Sequence, residues 1–275
     1  MLRLLNIEYY KLINSRASKV LIIAYFVLLT SIALIAAIKF DIGPIKFHLA
    51  EQGIFNFPYI WHFNTYVAAI FKFFLLLVIV SMMANEYSNK TLKQNLIDGL
   101  SKKEFILSKF YTVISFALIS TLFVFVISLI LGLVYSDYNE LNIIFSDLEF
   151  LLAFFVKLLG FFSFGLFLGI LIKRSAFAVG AMFVWLMIEG FSKGFLYWKF
   201  RPNAESIMQF FPLEAMSNLI VQPGSRLNAV QTVAKQVGED LTYDYAVHWY
   251  EIAIVLAWTA IFIFLSYRLL KKRDL

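Results

Sequence analysis

Hydrophobic residues arrive in blocks along this chain rather than in alternation. Six stretches of mostly apolar residues lie near 18–38, 63–84, 109–134, 150–172, 175–195 and 249–267. A helix rising 1.5 Å per residue needs about 20 such residues to cross a bilayer core. The pattern predicts an all-α polytopic membrane protein, a single membrane domain over residues 1–275 with six transmembrane helices. Only Lys173 and Arg174 separate the fourth block from the fifth, which predicts a tight helical hairpin. Residues 1–17 read differently: Leu2, Leu5, Tyr9 and Leu12 recur at helical spacing with Arg3, Asn6, Lys11 and Asn14 between them. That is the pattern of an interfacial amphipathic helix. The block after it exceeds the roughly 7–15 residues of a signal-peptide core, so it is expected to be a retained span.

Two connections are long enough to carry structure, 85–108 and 196–248. In the first, Thr91 to Ile97 can form one or two helical turns with Leu92 and Leu96 on one face, and Gly99 is placed to stop them. Ser101-Lys102-Lys103-Glu104 has the spacing of a capping box that starts the next helix. In the second, residues 210–220 (FFPLEAMSNLI) predict a short helix beginning near Pro212, and Gln222-Pro223-Gly224 a turn. Trp198, Phe210 and Phe211 bias this segment toward the membrane face, although an ordinary packed loop fits the same pattern.

Composition sharpens the class. Of 275 residues 61% are hydrophobic and 15% charged, and mean hydropathy is +0.79. A soluble domain is about 25% charged, and one soluble core cannot hide this much apolar surface. There is no cysteine, which excludes disulfides, thiolate nucleophiles and Cys-based metal sites. The net charge of +6 does not indicate nucleic acid, because the basic residues are distributed by loop. With both termini placed in the cytoplasm, fifteen Lys and Arg fall inside, among them Arg3, Lys11, Lys90, Lys93, Lys102, Lys103, Lys271 and Arg273. Seven fall outside, and the loop after the third span carries only acidic residues, Asp137, Glu140, Asp147 and Glu149. The positive-inside rule therefore predicts cytoplasmic termini, a cytoplasmic 85–108 segment and an external 196–248 segment.

The 85–108 segment also carries a family likeness. The run from Glu86 through Lys90-Thr91-Leu92-Lys93-Gln94-Asn95-Leu96-Ile97-Asp98-Gly99-Leu100-Ser101-Lys102-Lys103-Glu104-Phe105 to Ser108-Lys109 resembles the coupling region of ABC-2 type transporter permeases. Lys102 stands where Arg is commoner in that pattern. The six blocks, the amphipathic N-terminus, the large piece before the last span and the basic C-terminus are similar to the family along the whole chain. The resemblance implies a permease subunit of an ATP-driven exporter in the bacterial cytoplasmic membrane. It implies two permease copies among membrane lipids, joined to two copies of a separate ABC ATPase that holds the ATP and magnesium. It assigns ATPase coupling to Glu86, Lys90, Thr91, Leu92, Asn95, Leu96, Gly99, Ser101 and Glu104. The chain itself contains no G-x-x-x-x-G-K-[ST] phosphate loop, so it is not expected to be an enzyme or to hold a cofactor.

Three ionisable residues fall inside predicted spans: Lys72, Lys157 and Glu189. Such groups are costly in lipid and point to a pathway or a pair. One reading makes them translocation-path residues for an anionic or zwitterionic substrate. The other lets both lysines snorkel outward and pairs Glu189 with Lys193 one turn on. Gly165 and Gly169, and the small pair Ala176 and Gly180, permit close helix packing, between subunits or within one. His48, His62 and His248 share the outer side without metal-motif spacing, and no metal site is expected. Asn89-Lys90-Thr91 matches a glycosylation sequon but lies on the cytoplasmic side of this topology. Two other functions compete, an ion-gradient-driven transporter or channel and an intramembrane enzyme. The second lacks HExxH, G-x-S-x-G or paired aspartates in the spans.

Overall fold

The computed structural model describes residues 2–37, 39–42, 45–48, 53–226, 230 and 244–273. Among the described residues the regular structure is helical with one exception. Helix α1 (Leu2–Asn14) breaks at Ser15 and meets α2 (Arg16–Ala37) at 92°. A right angle between an amphipathic helix and an apolar one is the geometry of a helix lying across the end of a bundle. Next comes a two-stranded antiparallel hairpin, β1 (Lys39–Ile42) with β2 (Ile45–His48), in the register Lys39 opposite His48 and Ile42 opposite Ile45. The fold class is all-helical as expected, with this small hairpin as an addition. Residues 39–48 do alternate, and Gly43-Pro44 sits between the runs in sequence, which is a hairpin signature.

The second apolar block forms two helices, not one. α3 (Tyr59–Ile70) and α4 (Lys72–Ser88) are bent by 44° at Phe71, whose N–H donates to the Ala68 carbonyl at 3.1 Å. The Phe74 N–H donates to the Phe71 carbonyl, also at 3.1 Å, so the chain tightens into i→i−3 bonds there. No Gly or Pro marks the break, and Lys72 stands on it. The remaining elements are α5 (Thr91–Ile97), α6 (Lys102–Tyr135), α7 (Leu141–Ile144), α8 (Glu149–Ile172), α9 (Ser175–Phe200), α10 (Ala204–Met208), α11 (Pro212–Asn218) and α12 (Trp249–Lys272). The fifth expected span thus continues five residues past 195. Among the described residues four helices are long and apolar enough to cross a membrane, or up to six if each bent pair counts as one.

Helix α8 is the axis of the bundle. It is apolar all round, and residues on every side of it are buried, against α4, α6, α9 and α12. Its small residues decide how close the neighbours come. A Cβ at Gly165 would fall 2.2 Å from Leu76 Cδ1, and one at Gly169 would fall 3.1 Å from Met83 Cβ. Both glycines therefore pack against α4 of the same chain. Ala176 and Gly180 do not: they are exposed on α9, and nothing lies within 4 Å of a Cβ at Gly180.

The bundle has two distinct ends. At one gather α1, α5, the start of α6 and the C-terminus. Lys102 Nζ donates to the Arg273 carbonyl at 2.9 Å. The Arg273 guanidinium donates in turn to Tyr87 Oη and to the Ile170 and Leu171 carbonyls at the close of α8. A cation there satisfies carbonyls that the helix leaves free. At the opposite end Trp61 Nε1 donates to the Ile144 carbonyl at 2.8 Å and the Phe57 N–H to Ser136 Oγ at 3.1 Å. The segments expected on the same side of a membrane are thus at the same end.

Candidate functional site: a buried charge cluster and an end cap

Helix α1 buries Leu12 and, on the same side, Glu8. Three residues after Leu5, the carboxylate interrupts an otherwise apolar stripe and is carried into the protein. It meets Lys109 from α6 and Glu86 from α4. Lys109 Nζ donates to Glu8 Oε2 and to Glu86 Oε1, each at 2.6 Å. Lys11 Nζ donates to the same Glu86 oxygen at 2.7 Å and stands 3.8 Å from Glu8. Thr91 Oγ1, the first residue of α5, donates to Glu86 Oε2 at 2.5 Å. The side chains of Lys109, Glu86 and Glu8 are 0%, 3% and 4% exposed, so this is a buried network and not a surface ion pair. Two carboxylates and two ammonium groups make it neutral. Both carboxylates accept charge-assisted hydrogen bonds, the condition under which buried charge is tolerated.

Helix α5 is held against this cluster by its own sequence. Leu92 is buried and Leu96 partly so. Lys90 precedes the helix in the left-handed region, at φ 55°, with its side chain exposed. The helix ends in a Schellman motif: the Leu100 N–H donates to the Asn95 carbonyl at 3.0 Å and the Gly99 N–H to the Leu96 carbonyl at 3.2 Å. Gly99 sits at φ +98°, where a side chain is strained. The capping box then restarts the chain, with the Glu104 N–H donating to Ser101 Oγ at 3.2 Å and the Ser101 N–H to Glu104 Oε2 at 2.9 Å. Between α1 and the α5–α6 turn lies a cleft of about 590 Å³, lined by Arg3, Glu8, Lys11, Asn95, Asp98 and Glu104 among others.

The other end is built on α11. Its first free N–H groups, those of Leu213 and Glu214, donate to the Glu189 carboxylate at 3.0–3.2 Å, and Trp185 Nε1 adds a bond at 2.6 Å. At the far end of the same helix, Lys157 Nζ donates to the Ser217 carbonyl at 3.4 Å. A carboxylate at the N-terminus and an ammonium at the C-terminus both complement the helix dipole. Two charges expected in the spans thus hold a short helix across the end of the bundle. Glu189 does not pair with Lys193, as one sequence reading had it. Lys193 reaches Glu214 instead, at 2.5 Å. Nor does Lys157 snorkel outward; it is 4% exposed. His62 and Trp258 complete the clamp, His62 Nε2 bonding the Val221 carbonyl at 2.7 Å and Trp258 Nε1 donating to that of Phe210 at 2.8 Å.

Lys72 belongs to neither set of bonds. Its ammonium lies 4.5 Å from the centre of the Phe161 ring and 6.0 Å from that of Phe73. It borders a cavity of about 310 Å³ between α4, α8, α9 and α11 that Glu189 also lines. The histidines are dispersed in function. His62 is stacked on Phe150 and bonded to a carbonyl, while His248 bonds Asp244 at 3.1 Å. The Asp244 carboxyl is held below its ordinary range, first by the Ala246 N–H and then by that imidazole. Among the described residues no three His, Asp or Glu side chains converge as a metal site would need.

Sequence reasoning placed Glu86 and Thr91 together but missed Glu8, Lys11 and Lys109 as their partners. The signal for Glu8 was there, an acid on the apolar stripe of a helix. What it would meet depends on the fold.

Apolar helices around a central one, with polar chemistry confined to the two ends, define a multi-pass, helical, membrane-type protein. Within that class the chain belongs to the family described as a protein of unknown function (DUF2705), whose model matches residues 28–275. Among curated proteins none matches the chain.

Proposed function

We propose that this chain is the membrane subunit of an ABC-2 type exporter, crossing a bacterial cytoplasmic membrane six times with both termini inside. ATP is hydrolysed by separate subunits, and a second permease copy completes the path. The observation that carries this reading is the buried Glu86–Lys109 network with its arms to α1 and α5. A push on α5 passes through Thr91 to Glu86 on α4, through Lys109 to α6, and through Glu8 and Lys11 to α1. A short helix free on one face and locked on the other to three larger helices is a mechanical lever. The charged cleft beside it offers a surface for a soluble partner. The positive-inside distribution puts this end in the cytoplasm, where a nucleotide-driven partner would be.

The test is co-purification from mild detergent with ABC ATPase subunits expressed from the same genome. Retention of such a subunit, with hydrolysis stimulated by the permease, is expected. A chain that emerges alone under conditions that keep the membrane domain folded overturns the reading. Gly99→Val sharpens it. The substitution forces a β-branched residue to φ +98°, a strain of about 1–3 kcal/mol, in the turn that aims α5. Stimulated hydrolysis should fall while insertion stays normal.

A second reading has one observation in its favour. The break at Phe71–Lys72 makes a discontinuous helix next to intramembrane charge, a feature of gradient-driven transporters. Uptake into inverted vesicles separates the two, because only the exporter reading requires ATP when the ion gradients are collapsed.

A further inference from the structure

The cavity beside Lys72 holds an ammonium group with no hydrogen-bonded or ion-paired partner. Five charged side chains stand in or around it. Glu189 is satisfied by two backbone N–H groups of α11 and by Trp185. Lys193 and Glu214 satisfy each other. Lys157 is bound to the carbonyl of Ser217, which itself lines the cavity. Lys72 alone, among the described residues, has neither a carboxylate nor a carbonyl in reach, and faces only the rings of Phe161 and Phe73. Of the five, only Lys72 has no bonded polar partner, and it sits in apolar surroundings, where charge is expected to be paired. The rest of the wall is Phe73, Phe161, Leu186, Leu213 and Met216. The site therefore offers one cation for an anion and a hydrophobic wall for what the anion is attached to.

We propose that this cavity binds an anionic phospholipid, its phosphate on Lys72 and the start of its acyl chains against the Phe73–Phe161–Met216 wall. A free inorganic anion would gain the charge and nothing from the wall. A zwitterionic lipid would bring its own cation toward an ammonium that no carboxylate pairs with. As cargo of an exporter this lipid rests on the proposal above, but its binding does not. The measurement below uses the chain alone, without ATPase or nucleotide. A failed lipid result leaves the ATPase co-purification standing, and a failed co-purification leaves the lipid result standing.

The full chain is purified in detergent and titrated with phosphatidylglycerol, phosphatidylcholine and inorganic phosphate, with bound species read by native mass spectrometry. The wild type is expected to hold phosphatidylglycerol about tenfold more tightly than phosphatidylcholine, the scale of one favourable charge contact. Lys72→Gln should abolish that preference, and Lys72→Arg should keep it. Gly190→Leu provides a second variant, because a Cβ there meets nothing within 4 Å, yet the residue lines the cavity. It should weaken phosphatidylglycerol binding with Lys72 intact, and it decides the matter if the lysine variants do not fold. The proposal is overturned if Lys72→Gln retains the preference. It is also overturned if Gly190→Leu binds phosphatidylglycerol as the wild type does, or if inorganic phosphate displaces the lipid at equal concentration.

Discussion

The two ends of this bundle solve the same problem in different ways. Each must hold charge away from water. At the α1–α5 end, acids and bases from three helices bond one another directly through Lys109, Glu86, Glu8 and Lys11. At the α11 end, Glu189 and Lys157 lie on different helices and bond the backbone of a third element, one at each terminus. Direct pairing between long helices ties those helices together and leaves none of them free to move alone. Pairing to a seven-residue helix ties down only that helix.

The contrast breaks most readily at Lys109. Lys109→Met removes the base that two buried carboxylates share, and leaving a buried charge without its partner costs about 3–5 kcal/mol. Thermal unfolding in detergent should show the largest loss of this series. A variant with wild-type Tm would mean that water reaches the cluster and that it carries no force. Glu189→Leu comes next. It strands the N–H groups of Leu213 and Glu214, at about 1–3 kcal/mol for buried donors left unmade. Its expected signature is local: proteolysis within 196–226 should accelerate while the bundle's Tm moves little. A global unfolding equal to that of Lys109→Met would erase the distinction between the ends. Smallest is Lys193→Met. The Lys193 side chain is 42% exposed, and pairs of that kind contribute about 0.2–1 kcal/mol. A larger loss would make Lys193, and not Glu189, the main tie on α11.

Much of this was open to reading from the chain. The helical blocks, the right-angled amphipathic helix, Thr91–Ile97 with its Gly99 stop, the Ser101–Glu104 capping box and the Pro212 start all follow from local rules. Those rules need only a few neighbouring residues. The β1–β2 hairpin was also visible as alternation around Gly43-Pro44, and was hidden by the larger apolar pattern around it. The bend at Phe71 carried no signal, since neither Gly nor Pro marks it. The charged residues divided in the same way. Lys72, Lys157 and Glu189 stood out because lipid makes them costly. Glu8 and Lys109 did not, because Glu8 lies in an amphipathic helix where charge is ordinary and Lys109 at the edge of the third apolar block.

Helices α8 and α9 show where sequence stops deciding. Both are apolar throughout and both carry pairs of small residues, yet α8 is enclosed and α9 is largely bare. In water, apolar area alone would draw both inward. Between apolar helices in lipid that drive is absent, and the close fit of Gly165 and Gly169 against Leu76 and Met83 sets the neighbours. The amino-acid order by itself determined the helices, their caps and the sorting of basic and acidic loops, because these depend on nearest neighbours and on solvent. Only the tertiary structure decided that Glu8 and Lys109, 101 residues apart, form an ion pair, that α11 lies between Glu189 and Lys157, and that Lys72 faces only aromatic rings. Those outcomes depend on which helix faces arrive at the same place, and no local rule specifies that.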